Sequence, residues 1–547
     1  MVNNTNLIGI IPAAGLPINN ILSNSSLPNC MVPINGKPVI GYIVEDLILR
    51  GVSKIIIILN PSDIYTERYL QKKYYSSIKI EIIYNNEISK GVVYSIYLAL
   101  NFIPNGGKTL VILGDTIYKG ELNFNNNFIV VSNSFENPQK WCFVENKNSK
   151  LYFINKPKSY SNSGSVICGV YFFSNLSNLI FSYKQLNSIN QEFSNIEISD
   201  LLFKYQEYES FTLVNAKGWY DCGNIENYYK ARIDFLKVRS FNSIVYNDLY
   251  GTITKSSKKA SKILEEINWY LNIPEQFKIF MPRLVDCYVN SENPNYTLEF
   301  YGYQTLADAF IFESYDFTIW KKIIERLFEI LRLFQEVKVQ LNPNVFHKVY
   351  YFKLLDRLKE IDDNINLENI YKTNFIKIGG INYNNLPFYL EKIKQSIEIL
   401  INSDQMTFIH GDLFLGNILF DSTSKIFKFI DPRGNFGDVG IYGDTKYDIA
   451  KLRHSFVGNY DFIVADLFTI NYNDEVGWDF KILNEKYHEQ ISNYFDLELE
   501  KNGYDLNQIK FIEALLFISM VPLHSDNIKR QQAMYLTGIL KLNELNI

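Results

Sequence analysis

Four apolar runs, NLIGIIPAAG, KIIIILN, KIEIIY and TLVILGD, alternate with amphipathic segments through the first 115 residues. The intervening segments VIGYIVEDLILRG, IYTERYLQKKYY and GVVYSIYLALNFI carry their apolar residues at helical spacing. Gly51 stands where the first of these helices should stop. Strand–helix alternation at this spacing predicts right-handed βαβ units on a parallel sheet, because a strand returns to its neighbour's direction only through a crossover.

Residues 116–240 change pattern. Short strands (FIVVS, KLYFIN, SVICGVYFFS) are followed by helices, including IEISDLLFKYQ and IENYYKARIDFLKVR. A boundary is expected near residue 240, giving one domain over 1–240 and a second over 241–547. The second opens with short β segments and a charged helix, and its aromatic-rich stretches 320–400 and 460–547 read as core helices. A chain of 547 residues holds roughly three or four compact units at about 100–200 residues each. With 47% hydrophobic and 21% charged residues, it has enough apolar surface to exclude a wholly disordered chain.

Charge and composition narrow the function. Net charge is −5 with no long basic run, which disfavours nucleic acid as a partner. The 5 cysteines are odd in number and far apart, as suits a reducing cytosol. The 5 histidines are scattered, so no His-rich zinc site is expected. No run approaches the ~18–20 apolar residues of a membrane span, and the first residues lack a basic n-region. A cytoplasmic location is the expectation.

The sharpest motif is FIHGDLFLGNILFD followed by KFIDPRG. Phosphoryl transfer needs a carboxylate to orient the acceptor hydroxyl and take its proton, and oxygen ligands for Mg²⁺ on the phosphates. Asp412 fits the first need, and Asn417 and Asp431 the second. This series resembles the aminoglycoside phosphotransferase and choline kinase family, whose catalytic loop reads HGDxxxxN or HNDxxxxN. The resemblance implies a bilobal, protein-kinase-like α+β fold with ATP as donor. Its small lobe would cover about 241–305 and its large helical lobe about 306–547. It further implies that Lys255, on the hairpin IVYNDLYGTITKSS, pairs with Glu266 on the following helix to hold the ATP phosphates. Backbone groups near Glu299 and Tyr301 would bind adenine. Lys255 could instead be a solvated strand-end lysine, with Lys258 and Lys259 close by. Asp448, in GDTKYDIAKLRHS, reads as structural.

The resemblance breaks after the metal Asp. Choline kinase-like members usually carry an aromatic or acidic residue there, whereas this chain reads Asp431-Pro432-Arg433. An aromatic cage suits a quaternary ammonium, and Arg433 suits an anion. Choline is therefore demoted as acceptor in favour of a sugar, polyol or acidic metabolite. The alternative is that Arg433 pairs with Asp438 or Asp444. Aminoglycosides want acidic pockets, and no acidic cluster is evident in the second half.

In the first half, GIIPAAG followed by LPNCMVPINGKPVIGYIVEDL resembles the sugar-1-phosphate nucleotidyltransferases, and the resemblance runs over some 220 residues. It implies nucleotide binding by Ala13, Ala14, Gly15 and Gly91, sugar-phosphate binding by Lys156 in FINKPK, and metal ligation by Asp115 in VILGDTIY and Asp221 in GWYDCGNIENYYKAR. The nucleotide would be CTP, UTP, GTP or dTTP. One departure concerns the chemistry. The family places an Arg and a Lys where charge builds on the phosphates, but LPINNILSNSSLPN has neither, and Asn29 stands where Lys is expected. Two readings follow: Lys37 or Lys156 substitutes, or this half binds a nucleotide without turning it over.

Together these readings give two expectations. One is a bifunctional enzyme of capsule or other surface-polysaccharide precursor synthesis, in which an ATP- and Mg²⁺-dependent small-metabolite kinase is joined to a nucleotidyltransferase that activates its product. The other keeps the kinase active and leaves the first half as a nucleotide- or nucleotide-sugar-binding module. Partners are small metabolites and nucleotides, and a homo-oligomer is compatible with the sequence.

Overall fold

The four leading apolar runs become four strands: β1 (Leu7–Pro12), β2 (Lys54–Leu59), β3 (Lys79–Tyr84) and β4 (Lys108–Ile112). Helices α1 (Val39–Leu49), α2 (Ile64–Lys73) and α3 (Gly91–Leu100) connect them. The pairs β1–β2, β1–β4 and β2–β3 are parallel. Every residue of β1 is buried, as expected of a parallel strand covered on both faces.

The computed structural model describes the chain apart from residues 1–6, 17–26, 105, 135–137, 149, 158–163, 190–195, 236–241, 291, 341, 363–369, 402–404 and 546–547. It forms two compact units, Met1–Phe235 and Leu236–Ile547. The boundary expected near residue 240 lies outside the described residues.

Seven further strands follow in the first unit, mostly in antiparallel pairs. These are β5 (Thr116–Lys119), β6 (Phe128–Ser132), β7 (Cys142–Lys147), β8 (Lys150–Asn155), β9 (Ser165–Phe173), β10 (Thr212–Asn215) and β11 (Gly218–Asp221), with β10 parallel to β6. The nine-stranded order is β8-β7-β9-β4-β1-β2-β3, with β6 pairing β9 and β10, while β5 and β11 form a separate ribbon. Consecutive strands β1 and β2 run one way and β4 joins β1 on its other side. In such a sheet ligands bind in the crevice outside the carboxyl ends of the strands at the switch point. Ile10, Ile58, Val111 and Ile129 form the core with Val93, Ile96 and Ala99 of α3. The first unit is thus an α/β, Rossmann-like domain.

The second unit opens with an antiparallel sheet of β12 (Asn242–Asn247), β13 (Thr252–Ser257), β14 (Leu284–Tyr288) and β15 (Asn295–Glu299), in the order β12-β13-β15-β14. Helix α4 (Ala260–Asn272) follows β13 in sequence. Trp269 of α4 is fully buried and its Nε1 donates to the Ile409 carbonyl at 3.0 Å. This ties the helix to the segment that carries His410-Gly411-Asp412. Helices α5 (Phe317–Phe334), α6 (Leu386–Leu400), α7 (Thr445–Phe456), α8 (Lys486–Lys501), α9 (Leu506–Met520) and α10 (Ile528–Asn543) are the longest of those that follow, with short strands between them.

One expectation is corrected here. The stretches 320–400 and 460–547 are not helical throughout. Phe375–Ile378, Ile381–Asn384, Phe468–Asn473 and Gly477–Ile482 make a four-stranded sheet. The runs FTINYN and GWDFKI alternate in period two around the turn NDEV, and Gly477 takes φ +70° there. That is a hairpin pattern.

The helical run Leu506–His524 is long and apolar enough to cross a bilayer by composition, yet 61% of it is buried inside the unit. Its Glu513 is fully buried and pairs with Arg453 and Lys541. A charge so placed is compensated within the protein, which marks α9 as a core helix.

Candidate functional site

The first unit holds a cavity of about 260 Å³ at the carboxyl ends of β1 and β4. Ala13, Ala14 and Gly15 line it after β1, Asp115 after β4, and Gly91 at the start of α3. The loops touch backbone to backbone. The Ala13 amide donates to the Ile58 carbonyl at 2.8 Å, and the Gly114 amide to the Pro12 carbonyl at 3.1 Å. The N-terminus of a ten-residue helix at the cavity favours an anion. Asn29, Cys30, Asn85 and Ser95 complete the polar lining. Asn85 and Ser95 escaped the sequence reading. Asn85 follows directly on β3, at the sheet edge where ligands gather, and the structure bonds its Nδ2 to the Ser95 hydroxyl at 3.0 Å.

Asp115 and Asp221 converge. The β5–β11 ribbon sets Thr116 opposite Asp221, and the Cys222 amide donates to the Asp115 carbonyl at 2.7 Å. A Cβ on Gly223 would stand 2.7 Å from Asp115 Oδ2 and 3.1 Å from Asp221 Oδ1, so only glycine leaves both carboxylates room. Burial pushes the Asp115 carboxyl above its ordinary value. Burial and the neighbouring Asp115 push Asp221 up to about 8. Lys140 pairs with Glu226 at 3.6 Å instead of with either. Lys140 lowers Asp221 only from a distance, and two close carboxylates with no cation in ion-pair contact among the described residues fit a divalent cation shared with phosphate oxygens. Among the described residues no three His, Cys, Asp or Glu side chains form a closed metal cage.

The two lysines considered as replacement cations stand apart from this cavity. Lys37 is bound to Glu45 and lies 4.3 Å over the Tyr42 ring. Lys156 is exposed at the end of β8 with φ +46°, its amide on the Trp141 carbonyl at 2.9 Å. Among the described lining residues there is no Lys or Arg. Most of the loop Leu16–Asn29 lies outside the described residues.

In the second unit Lys255 is only 4% exposed, so it is not a solvated strand-end lysine. Its Nζ stands 2.9 Å from Glu266 Oε2 and 2.9 Å from Asp431 Oδ1. The Tyr296 hydroxyl donates to Glu266 Oε2 at 2.7 Å. Burial works against the Lys255 ammonium, but Asp431 and Glu266 outweigh it and hold its pKa above the ordinary lysine value. Burial acts to raise Asp431, and Lys255 outweighs it, so this carboxyl is held below the usual range. Asp431 also takes φ +56°, a costly conformation for a non-glycine residue that the surroundings must impose. A Cβ on Gly434 would collide with the Glu265 carbonyl, so glycine lets this loop lie against α4.

Asp412 faces Lys451 at 2.9 Å. Burial would raise its carboxyl, but Lys451 and then Arg433 hold it well below the carboxylate range, so it stays ionised. Asn417 Nδ2 donates to the Asp412 carbonyl at 3.0 Å. The Ile430 amide donates to the Asn417 carbonyl at 2.9 Å, which sets Asn417 across from the residue before Asp431. Asn417 and Asp431 thus offer oxygens on adjoining strand ends, a donor set that fits Mg²⁺. Asp448 has a positioning role. It is fully buried and accepts the His410 and Gly411 amides at 2.7 and 2.8 Å. Glu299 takes the Tyr301 hydroxyl at 3.1 Å and Arg283 at 3.0 Å, at the end of β15.

The pairing considered for Arg433 is corrected. Asp438 binds Lys348 at 2.6 Å, while Asp444 caps α7 and accepts the Tyr350 hydroxyl at 3.0 Å. Arg433 instead donates to the Tyr447 hydroxyl at 3.3 Å and lines a second cavity of about 220 Å³.

Comparison with known proteins bears on the first unit. The nucleotidyl transferase family matches residues 22–238. The bifunctional protein GlmU of Methanococcus vannielii is 28% identical over 222 residues, 38% of this chain and 50% of that protein. The chain therefore spans about half the length of that curated relative. The glucose-1-phosphate thymidylyltransferase of Neisseria meningitidis is 27% identical over 238 residues, 41% of this chain and 80% of that protein. The inositol-1-phosphate CTP transferase of T. maritima is 16% identical, with a TM-score of 0.34, covering 41% of this chain and 94% of its own.

Proposed function

The N-terminal half belongs to the nucleotidyltransferase superfamily, and from that premise we propose a bifunctional enzyme that makes a nucleotide-activated metabolite. In this reading the second unit phosphorylates a hydroxyl of a small sugar, polyol or acid with ATP. The first unit then joins the phosphate to a nucleotide. The Neisseria relative is named for glucose 1-phosphate, which supports a sugar-phosphate-like partner for the nucleotide.

The observation that carries the nucleotidyl transfer is the convergence of Asp221 on Asp115, which lines the cavity at the strand ends. A phosphate oxygen of the metabolite attacks the α-phosphorus of an NTP, and pyrophosphate leaves. Ala13, Ala14, Gly15 and Gly91 hold the nucleotide at the strand ends, with Asn85 and Ser95 hydrogen-bonding along the same wall. For the phosphoryl transfer the observation is the Asp431–Lys255–Glu266 chain, with Asp412 and Asn417 one loop away. Lys255 binds ATP phosphates and Asp412 accepts the proton of the acceptor hydroxyl. That oxygen attacks the γ-phosphorus, the bond to the β-phosphate oxygen breaks, and ADP leaves. Mg²⁺ held by Asp115 and Asp221, and by Asn417 and Asp431, would neutralise the phosphates in each site.

Both donors are cytoplasmic nucleotides, so the reading assigns the chain to the cytoplasm. Activated precursors of this kind feed a capsule or another surface polysaccharide. The test is ADP release across sugars, polyols, amino alcohols and hydroxy acids, with Asp412→Asn as control. The product is then offered with CTP, UTP, GTP and dTTP while pyrophosphate is followed.

One observation favours a second reading. No Lys or Arg lines the first cavity among the described residues, and Lys37 is engaged by Glu45. A nucleotide that binds without releasing pyrophosphate under any condition would make this half a binding module.

A further inference from the structure

We propose that the cavity beside Asp412 is the acceptor subsite and takes a small hydroxylated anion, its carboxylate or phosphate group bound by Arg433 and Lys353; this rests on the phosphotransferase reading of the second unit.

Position supports the assignment. Glu265, Lys348, Lys353, Arg433, Asn435 and Tyr447 line the cavity. The Arg433 amide donates to the His410 carbonyl at 2.8 Å, and a Cβ on Gly411 would stand 3.0 Å from Arg433 Cβ. The lining is therefore built directly against the loop that carries Asp412. At about 220 Å³ the cavity is smaller than the roughly 300–1,000 Å³ of drug-sized sites. A cavity of that volume suits a metabolite of a few carbons.

Charge supports the class. One lining cation, Lys348, is already matched within the protein by Asp438 at 2.6 Å, and the one lining carboxylate, Glu265, accepts the Asn435 amide at 3.1 Å. Beside the cavity, Lys451 is taken by Asp412. Arg433 and Lys353 have no carboxylate within ion-pair distance among the described residues. Both point at one acceptor, the Tyr447 hydroxyl, at 3.3 and 3.5 Å; burial acts to raise that phenol, but Lys353 and then Arg433 pull it down to about 8. Tyr447 is itself buried. The lining sets Lys348, Lys353 and Arg433 against the single Glu265 carboxylate, and the two cations that meet at one phenol repel each other until a further anion joins them. Lys353 records that strain: burial first, then Arg433 and Lys451, hold it down to about 8 despite Tyr447. A planar guanidinium matches the paired oxygens of a carboxylate or phosphate. A cationic acceptor such as an amino alcohol would meet the same charges with the wrong sign.

Calorimetric titration of the full chain with glycerate, glycerol 3-phosphate, glycerol and ethanolamine tests this, because the four share a small skeleton and differ in charge. We expect one or both anions to bind at least about tenfold tighter than glycerol. The first two arms separate carboxylate from phosphate. The preference should disappear in Arg433→Leu and in Lys353→Met and return in part in Arg433→Lys. Thermal unfolding of each variant checks the fold. Equal or tighter binding of glycerol or ethanolamine, no anion binding at all, or a preference unchanged in both folded variants overturns the proposal. ADP release with ATP is read in parallel. Anion binding without any ADP from any probe, unaltered by Lys255→Met, would count against the phosphotransferase reading while leaving the anion subsite standing.

Discussion

The two candidate sites handle negative charge in opposite ways. In the first unit Asp115 and Asp221 face each other with no described cation in ion-pair contact, and both carboxyls are driven up. In the second unit Lys255 sits against Asp431 and Lys451 against Asp412, and both carboxyls are driven down. Both sites are read as binding polyphosphate. The difference teaches that one arrives needing a metal to be electrostatically complete, whereas the other is largely balanced by its own lysines before any ligand enters.

The largest effect should come from Asp412→Asn. It removes the proton acceptor, and ADP release should fall by about 10²–10⁴-fold. Pyrophosphate release from supplied phosphorylated product should not change. A fall in both would break the separation of the two sites.

Stability should respond with opposite signs. Lys255→Met leaves Glu266, which is 1% exposed, without its main partner. Breaking a buried pair costs about 3–5 kcal/mol. The low end is expected, because Lys262 at 3.5 Å and the Tyr296 hydroxyl remain. Asp115→Asn removes one of two repelling carboxylates and should slow hydrogen exchange of the β1 amides at pH 8. Destabilisation by Asp115→Asn would mean that the pair is already compensated.

The pH response sharpens the same contrast. Asp221 is raised in the folded state, so its stabilising contribution is present below the unfolded value of about 3.9 and is lost as pH rises through about 8. Asp412 is lowered, so its contribution is present above that unfolded value and is lost only in acid. Between pH 5 and pH 8, exchange protection of β1 should weaken while that around Trp269 holds. Mg²⁺ needs the ionised carboxylates, so it should restore β1 protection more at pH 8 than at pH 6.

The smallest effect should be that of Lys37→Met. A partly exposed pair with Glu45 is worth about 0–1 kcal/mol, and Lys37 stands outside the cavity lining. A loss of pyrophosphate formation beyond about 10²-fold would reveal Lys37 as the missing phosphate cation after all.

Much of this was readable from local pattern. The apolar runs announced β1 to β4 because a strand buried on both faces shows no alternation. The HGD-to-N-to-D spacing brought Asn417 and Asp431 onto one pair of strand ends, with Asp412 in the loop before them, because a short hairpin leaves little choice of register. Two things were missed. The sheet of Phe375–Asn384 and Phe468–Ile482 was hidden by aromatic residues that fit either a helix or a strand. Asn85 and Ser95 carried no motif, and only the packing of α3 on the sheet brings them together.

What the sequence determined by itself is therefore the kind and order of elements and the residues displayed at their ends, since periodicity and turn chemistry act over a few neighbours. The tertiary structure alone decided the partners. Lys255 meets Asp431 across 176 residues, Lys37 goes to Glu45, and Asp438 and Asp444 are taken by Lys348 and the α7 cap, leaving Arg433 and Lys353 to face a cavity. Ion pairs depend on which surfaces the packed elements bring within a few ångströms, and no local pattern encodes that distance.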